Sequence, residues 1–230
     1  GSSGFASKRQ GGTPLISCFP PDRTSGIKLE AHNGEIVGLA GLSGHGQTDT
    51  LVRIFSEDNK TGMEMAMVAG DRQNDGVFPL WSIKENISIG SIRNLLTKGL
   101  LNEKSEQDLA DEWQKRIAIK TPDMNNNILS LSGGNQQKAL FARAFGSAAS
   151  IILMDDPMRG VDIGTKQEVY EMIREQPSSG RTFGWYTTEM DELKHCDHVY
   201  VFRNGGIVAD LSSEELTEQK VLHASFEEAS

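Results

Sequence analysis

Short apolar runs recur along the chain, and each is followed by a segment with helical spacing. Glu35-Ile36-Val37-Gly38-Leu39-Ala40 is almost continuously apolar, as a strand buried on both faces is. It ends in a glycine-rich turn, Gly41 to Gly46, after which Leu51, Val52, Ile54 and Phe55 recur at the spacing of a helix packed on a sheet. Ile151-Ile152-Leu153-Met154 reads as a second buried strand, with Val169, Met172 and Ile173 marking the helix after it. Phe183 to Thr187 and Val199 to Phe202 read as further strands. Residues 5 to 26, rich in Gly, Pro, Ser and Arg, read as a linker holding one short strand near Leu15–Phe19. Residues 105 to 118 predict a helix with Leu109, Trp113 and Ile117 on one stripe. The closing stretch, 213 to 230, predicts an amphipathic helix with Leu216, Val221 and Leu222 as its apolar positions. Strands alternating with helices imply an α/β fold whose mostly parallel sheet is covered by helices on both faces.

Composition narrows this little. With 230 residues there is room for one large domain, and 37% hydrophobic against 24% charged residues suits a soluble globular chain. No run nears the roughly 18 apolar residues of a membrane span, so a membrane role would be peripheral. The net charge of -9 speaks against nucleic acid as a partner, because phosphate-backbone affinity rests on Lys and Arg. Cys18 and Cys196 lie far apart with no metal-ligand spacing and read as reduced thiols. Gly1-Ser2-Ser3-Gly4 reads as an appended tag, and residues 1–12 as tag and linker ahead of one domain over 13–230.

The turn after the first buried strand carries the first chemistry. Gly41-Leu42-Ser43-Gly44-His45-Gly46-Gln47-Thr48 fits the G-x-x-x-x-G-K-[ST] phosphate loop except at the lysine, where Gln47 stands. Glycines let backbone N–H groups converge on phosphate oxygens, and the helix N-terminus adds partial positive charge. Gln47 keeps a donor but brings no charge. Charged hydrogen bonds are worth about 1.5–3 kcal/mol and neutral ones about 0.5–1.5, so roughly tenfold in binding or rate is at stake. Asp49 places a carboxylate in the first helical turn, which repels phosphate. Without lysine, a glycine-rich strand-to-helix turn is a weak signal, and a tight turn with no ligand stays open as a reading.

Leu131-Ser132-Gly133-Gly134-Asn135-Gln136-Gln137-Lys138 shifts the balance. Ser132 can cap the helix that follows, and the glycines leave backbone donors open to an anion. Ile151 to Met154 then runs into Asp155-Asp156-Pro157, an apolar strand ending in an acidic pair, followed by Arg159-Gly160-Val161-Asp162-Ile163-Gly164. These stretches, in this order, resemble the signature, Walker B and D-loop motifs of ATP-binding cassette (ABC) ATPases. The resemblance implies a P-loop NTPase cassette with a helical subdomain at about 82–135, and ATP and Mg2+ as cofactors. It implies that Leu131, Ser132, Gly133, Gly134 and Gln136 face the γ-phosphate of a partner cassette's nucleotide. Gly41, Ser43, Gly44, His45, Gly46, Gln47, Thr48 and Asp49 would meet this chain's own nucleotide. Thr48 and Asp155 would support Mg2+, Asp156 stands at the catalytic glutamate's position, and Gly160 and Asp162 lie on the loop that crosses the cassette dimer.

Several switch positions depart from the family pattern. Asp156 is one methylene shorter than glutamate, a shift of about 1.5 Å, and misplacement by about 1 Å can cost on the order of 100-fold. Met67-Val68-Ala69-Gly70-Asp71-Arg72 stands where the Q-loop begins, with Gly70 at the position of its polar residue. Thr188 stands at the switch histidine; none of the five histidines replaces it, and His195 and His198 read as surface residues. The resemblance runs from about Gly34 to Ala224 and is nearest to the second, C-terminal cassette of the two-cassette ATPases that drive bacterial uptake of simple sugars. Gln47-Thr48-Asp49, Ala69-Gly70-Asp71-Arg72, the Asn135-Gln136-Gln137-Lys138 ending and Arg159-Gly160-Val161-Asp162 carry that assignment, as does Cys196-Asp197-His198-Val199 ahead of Arg203-Asn204-Gly205-Gly206. Asp156, Met158 and Gly70 depart even from that branch. The stretch from Gln47 to Gly70 is shorter than the family usually has, with Ser56 to Met65 too brief for the antiparallel strands beside the adenine. Either that subdomain is absent or the numbering closes over missing residues, and the second is favoured. Phe19 is the one candidate for stacking on the base.

The expected function is therefore an ATP-binding subunit of a simple-sugar importer on the cytoplasmic face of the bacterial inner membrane. Its own site would be degenerate and its signature would serve a partner. Implied partners are the N-terminal cassette of the same polypeptide or a second cassette, transmembrane permease subunits, and indirectly a periplasmic sugar-binding protein. The permease would meet the Q-loop and the region around residues 90 to 130. One rival is a non-hydrolytic, regulatory nucleotide-binding cassette. Another, a soluble ABC ATPase acting on DNA, would need coiled-coil inserts or basic patches, and the sequence has neither.

Overall fold

A computed structural model describes residues 12–56, 63–71, 76–78, 81–89, 103–176 and 180–226. In chain order these form β1 (Ile16–Cys18), β2 (Leu29–Ala31), β3 (Ile36–Gly41), α1 (Gln47–Ser56), β4 (Met65–Ala69), α2 (Ile83–Ser88), α3 (Glu103–Ile117), a short 3-10 turn (Ile128–Ser130) and α4 (Gly133–Phe145). There follow β5 (Ile151–Asp155), α5 (Ile163–Glu175), β6 (Thr182–Tyr186), α6 (Met190–Leu193), β7 (His198–Arg203), β8 (Gly206–Ser212) and α7 (Glu218–Phe226).

The chain divides into two compact units. The first, residues 1–65, 150–156 and 174–230, holds strands in the order β5-β6-β3-β7-β8. β5, β6, β3 and β7 run parallel, and β8 returns antiparallel beside β7. The central strands are continuously apolar because both faces are covered: Val37, Leu39, Ile152, Phe183, Trp185, Val199 and Phe202 are fully buried. Leu51 and Ile54 of α1 join this core. β1 and β2 form a separate antiparallel pair, Ile16 facing Ala31. Because β3 and β5 flank β6, their C-terminal ends open on the same edge of the sheet, where ligands bind in open α/β sheets.

The second unit, residues 66–149 and 157–173, is helical around Ile83, Ile87, Trp113, Ile117, Ile128 and Phe141, all nearly or fully buried. Trp113 and Phe141 each tilt against Phe145, at 6.1 and 5.6 Å between centroids. α2 starts with a complete capping box: the Ser82 hydroxyl accepts the Glu85 N–H, and the Glu85 carboxylate accepts the Ser82 N–H.

The expected strands and helices are present with shifted ends, but the apolar faces of two helices need correcting: on α1 Val52 and Phe55 are exposed beside the buried Leu51 and Ile54. The C-terminal helix starts at Glu218, because the Thr217 hydroxyl accepts the Lys220 N–H and caps it. Leu216 therefore precedes the helix, and Leu222 is 49% exposed; Val221 alone of the three expected positions is buried. β8 was not anticipated: only Leu211 of its seven residues is buried, so no alternation marks it. Residues 57–62, Arg72 of the Q-loop stretch, the tag and residues 90–102 lie outside the described residues.

Candidate phosphate-binding site

The phosphate loop leaves β3 at Gly41, whose φ is +112°. A Cβ there would lie 2.3 Å from the Phe202 carbonyl oxygen, so only glycine lets β3 turn this tightly beside β7. A Cβ on Gly46, at φ +106°, would likewise stand 3.0 Å from the Gly205 Cα. The rim is tied to the β7–β8 turn through His45. Its carbonyl accepts the Gly205 N–H at 3.0 Å and its ring Nδ1 accepts the Asn204 N–H at 2.9 Å. Arg23 donates to the Asn204 carbonyl at 2.6 Å from the far side of that turn. Thr50, fully buried, donates its N–H and its hydroxyl to the Gly46 carbonyl.

Gln47 does not project as a lysine would. It is fully buried and folds back on the loop. Its Nε2 donates to the carbonyls of Leu42 (2.9 Å) and Ala40 (3.2 Å), while its Oε1 accepts the His45 N–H (2.9 Å). Ser43, Gly44, Thr48 and Asp49 are exposed. The Thr48 hydroxyl donates to the Asp155 carboxylate at 2.8 Å, so the end of β3 and the end of β5 meet. A hydroxyl and a carboxylate are hard oxygen donors, and two such ligands fit Mg2+, which takes its other positions from water and phosphate oxygens.

Asp156, next to Asp155, has φ +45° and donates its N–H to the Tyr186 carbonyl at 2.9 Å. Asp is among the few non-glycine residues that tolerate this left-handed conformation. Thr188 is exposed; its neighbour Thr187 is buried and shapes the segment, accepting the Glu189 N–H and donating to the Glu192 carboxylate. Thr188 lines a cavity of about 550 Å³ together with Gly41, Leu42, Ser43 and residues of α7.

His195 and His198 are less exposed than the sequence reading expects, since both are half-buried. The His195 ring stacks on the fully buried Trp185 (centroids 6.2 Å, planes 9° apart), and burial lowers its pKa. The His198 side chain is 13% exposed and contacts the Asp210 carboxylate of β8. The sheet register explains this, since Tyr200 opposite Asp210 brings both into one row. Phe19 is half-buried, and the Lys28 ammonium sits 4.9 Å over its ring, so an adenine would share that side chain with a cation.

In the second unit Ser132 caps α4, its hydroxyl accepting the Asn135 N–H. The first-turn N–H groups of Gly133 and Gly134 precede the helix's own bonding. A Cβ on Gly134 would stand 3.0 Å from the Gly160 carbonyl oxygen, so the signature glycine and the D-loop backbone pack directly. Asp162 caps α5: its carboxylate accepts the Thr165 N–H (2.9 Å) and hydroxyl (2.8 Å), which holds its pKa below the ordinary value. Leu131 and Gln136 are buried, the Gln136 amide donating to the Leu131 carbonyl. Gly70 is buried at the end of β4. Sequence reasoning missed Gln137. Fully buried, it donates to the carbonyls of Ala69 (3.1 Å) and Pro157 (2.6 Å) and so ties the residue before Gly70 to the residue after the acidic pair. A glutamine amid alanines and phenylalanines on a buried helix was the available signal.

A family model described as "ABC transporter" matches residues 24–159, more than half of the chain. The chain belongs to that family. Among similar proteins of this ABC family is the ribose import ATP-binding protein RbsA 1 of Rhizobium etli, 33% identical across 93% of this chain and 47% of its own length. The arabinose import ATP-binding protein AraG of Yersinia pestis is 36% identical across 86% of this chain and 42% of its own length. The chain thus spans about half the length of the curated relatives it matches. Among solved structures, the ATP-binding cassette MJ0796, a dimer in a post-hydrolysis state bound to ADP and Pi, superposes with a TM-score of 0.70 at 19% identity, over 87% of this chain and 97% of that one. CbiO1 of Clostridium perfringens, part of the transporter complex cbiONQ, gives 0.67 at 20% identity over 91% and 90%. These two share the ABC cassette fold with this chain. Among the described residues no helix is long and apolar enough to cross a membrane.

Proposed function

We propose that this chain is the C-terminal ATP-binding cassette of a simple-sugar importer, with a weakened nucleotide site of its own and a signature that completes a partner's site. The relatives' names support a sugar importer, and the half-length match supports two cassettes in one polypeptide. The observation that carries the asymmetry is the contrast between the two anion-type turns. At the phosphate loop, Gln47 engages the loop's own groups. At the signature, Ser132 caps α4 from outside and Gly133 and Gly134 lie half-exposed.

Each position of the chain's own site then has a limited part. The helix N-terminus and the loop N–H groups hold phosphate. Thr48 and Asp155 would hold Mg2+, which would supply positive charge against the phosphates. Asp156 is placed as a short base, and Thr188 offers a hydroxyl in place of a titratable ring. Ile163, 80% exposed directly after the D-loop, supports an apolar contact with the partner cassette. The working protein would sit against permease subunits on the cytoplasmic face of the inner membrane, fed by a periplasmic sugar-binding protein.

The test reconstitutes the full-length ATPase with its permease. Ser132→Ala with Gly133→Asp should lower ATP turnover by at least about 100-fold, the scale of losing transition-state donors. Asp156→Asn should change it less than about threefold, under 1 kcal/mol of barrier. The reverse ranking would overturn the asymmetry.

A further inference from the structure

We infer that Gln47 is a specificity-determining gate of the phosphate loop: its side-chain amide occupies a phosphate's partner, and nucleotide binds only when that side chain swings out. This rests on reading the pocket as a weakened nucleotide site, and it says what weakens it. The His45 N–H lies within the run of backbone donors at the N-terminus of α1 that an anion would use. Gln47 Oε1 already accepts it at 2.9 Å, as a phosphate oxygen would. The same amide donates to the Leu42 and Ala40 carbonyls, so the side chain is held at both ends in a fully buried place.

The rim does not depend on this plug. The His45 carbonyl and ring are held by Gly205 and Asn204, and the Gly46 carbonyl by Thr50. The frame that would cradle a phosphate therefore persists when Gln47 leaves. A bound phosphate must replace one bond from Gln47 and release two more, and an uncharged glutamine gives nothing back by charge attraction.

The two roles for Gln47 predict opposite signs. If it served as a feeble lysine, removing it would weaken binding. As a gate, its removal strengthens binding. Calorimetric titration of this chain with MgADP should show Gln47→Ala binding at least about fivefold tighter than the parent chain, the equivalent of one neutral hydrogen bond. Equal or weaker binding by Gln47→Ala, beside weak binding by the parent, overturns the gate alone. Tight binding and fast turnover by the parent overturns both the gate and the weakened site. A measurement on the unaltered chain covers a variant that fails to fold. In amide NMR the Gln47 side-chain protons should be protected from exchange in the free chain. They should lose that protection as MgADP shifts the His45 amide. If the His45 amide moves while the Gln47 side chain stays protected, the gate is wrong.

Discussion

The turn from Gly41 to Thr48 and the turn from Leu131 to Gln136 are built from the same parts. Each sets glycines at the start of a helix, just ahead of α1 in the first and in the first turn of α4 in the second, with a hydroxyl residue beside them. They differ in who answers the backbone donors. In the first, the helix's own first residue, Gln47, folds back and bonds the loop. In the second, the Ser132 hydroxyl bonds one residue, Asn135, from outside. A glycine-rich turn therefore marks a possible anion site, and the side chain beside it decides whether that site stands open.

Substitutions can break this comparison. Gly41→Ala should have the largest effect, because it adds a Cβ at 2.3 Å from a carbonyl at a φ of +112°. Strain and overlap together should cost about 3 kcal/mol or more in urea unfolding. Gly44→Ala, at φ +81° with open surroundings, should cost only about 1–2 kcal/mol from backbone strain. Equal losses would refute the close approach at Gly41. Ser132→Ala should come next, at about 1 kcal/mol for a lost helix cap, with the chain still folded. A much larger loss would mean that the second turn, like the first, is structurally committed.

The smallest effect concerns Asp162. Its folded pKa is lowered, so its contribution is present above the ordinary carboxylate value and is lost as pH falls through the folded value. Asp162→Asn should lower the melting temperature slightly at neutral pH and leave the acid end nearly unchanged, so that the acid limb flattens. An unaltered acid limb would remove the Thr165 bonds from the account.

The motifs were legible because they depend on local rules. A strand running into glycines and a hydroxyl before a helix can be read within eight residues, and so could the phosphate loop, the signature and the acidic end of β5. What could not be read lies across long separations. Gln47 was legible as a missing charge, but its fold-back depends on where Ala40 and Leu42 turn their carbonyls. The chain of bonds from Arg23 through Asn204 to His45 joins three distant segments. The same holds for Gln137, which reaches Ala69 and Pro157. The two histidines misled because polarity suggested solvent, while Trp185 stacks on His195 from another segment and Asp210 reaches His198 across the β7–β8 pair, contacts that no local pattern announces.

Cys196 gives the fold an internal clock. Its thiol is 2% exposed, and Gly38 is bare of a side chain where a Cβ would come within 2.9 Å of its sulfur. Burial pushes its pKa far up, so little thiolate forms while the β3–β7 contact is closed. Cys18, on β1, is only half-buried. An alkylating reagent would thus mark Cys18 in the closed molecule and Cys196 only at the rate at which the sheet under the phosphate loop comes apart.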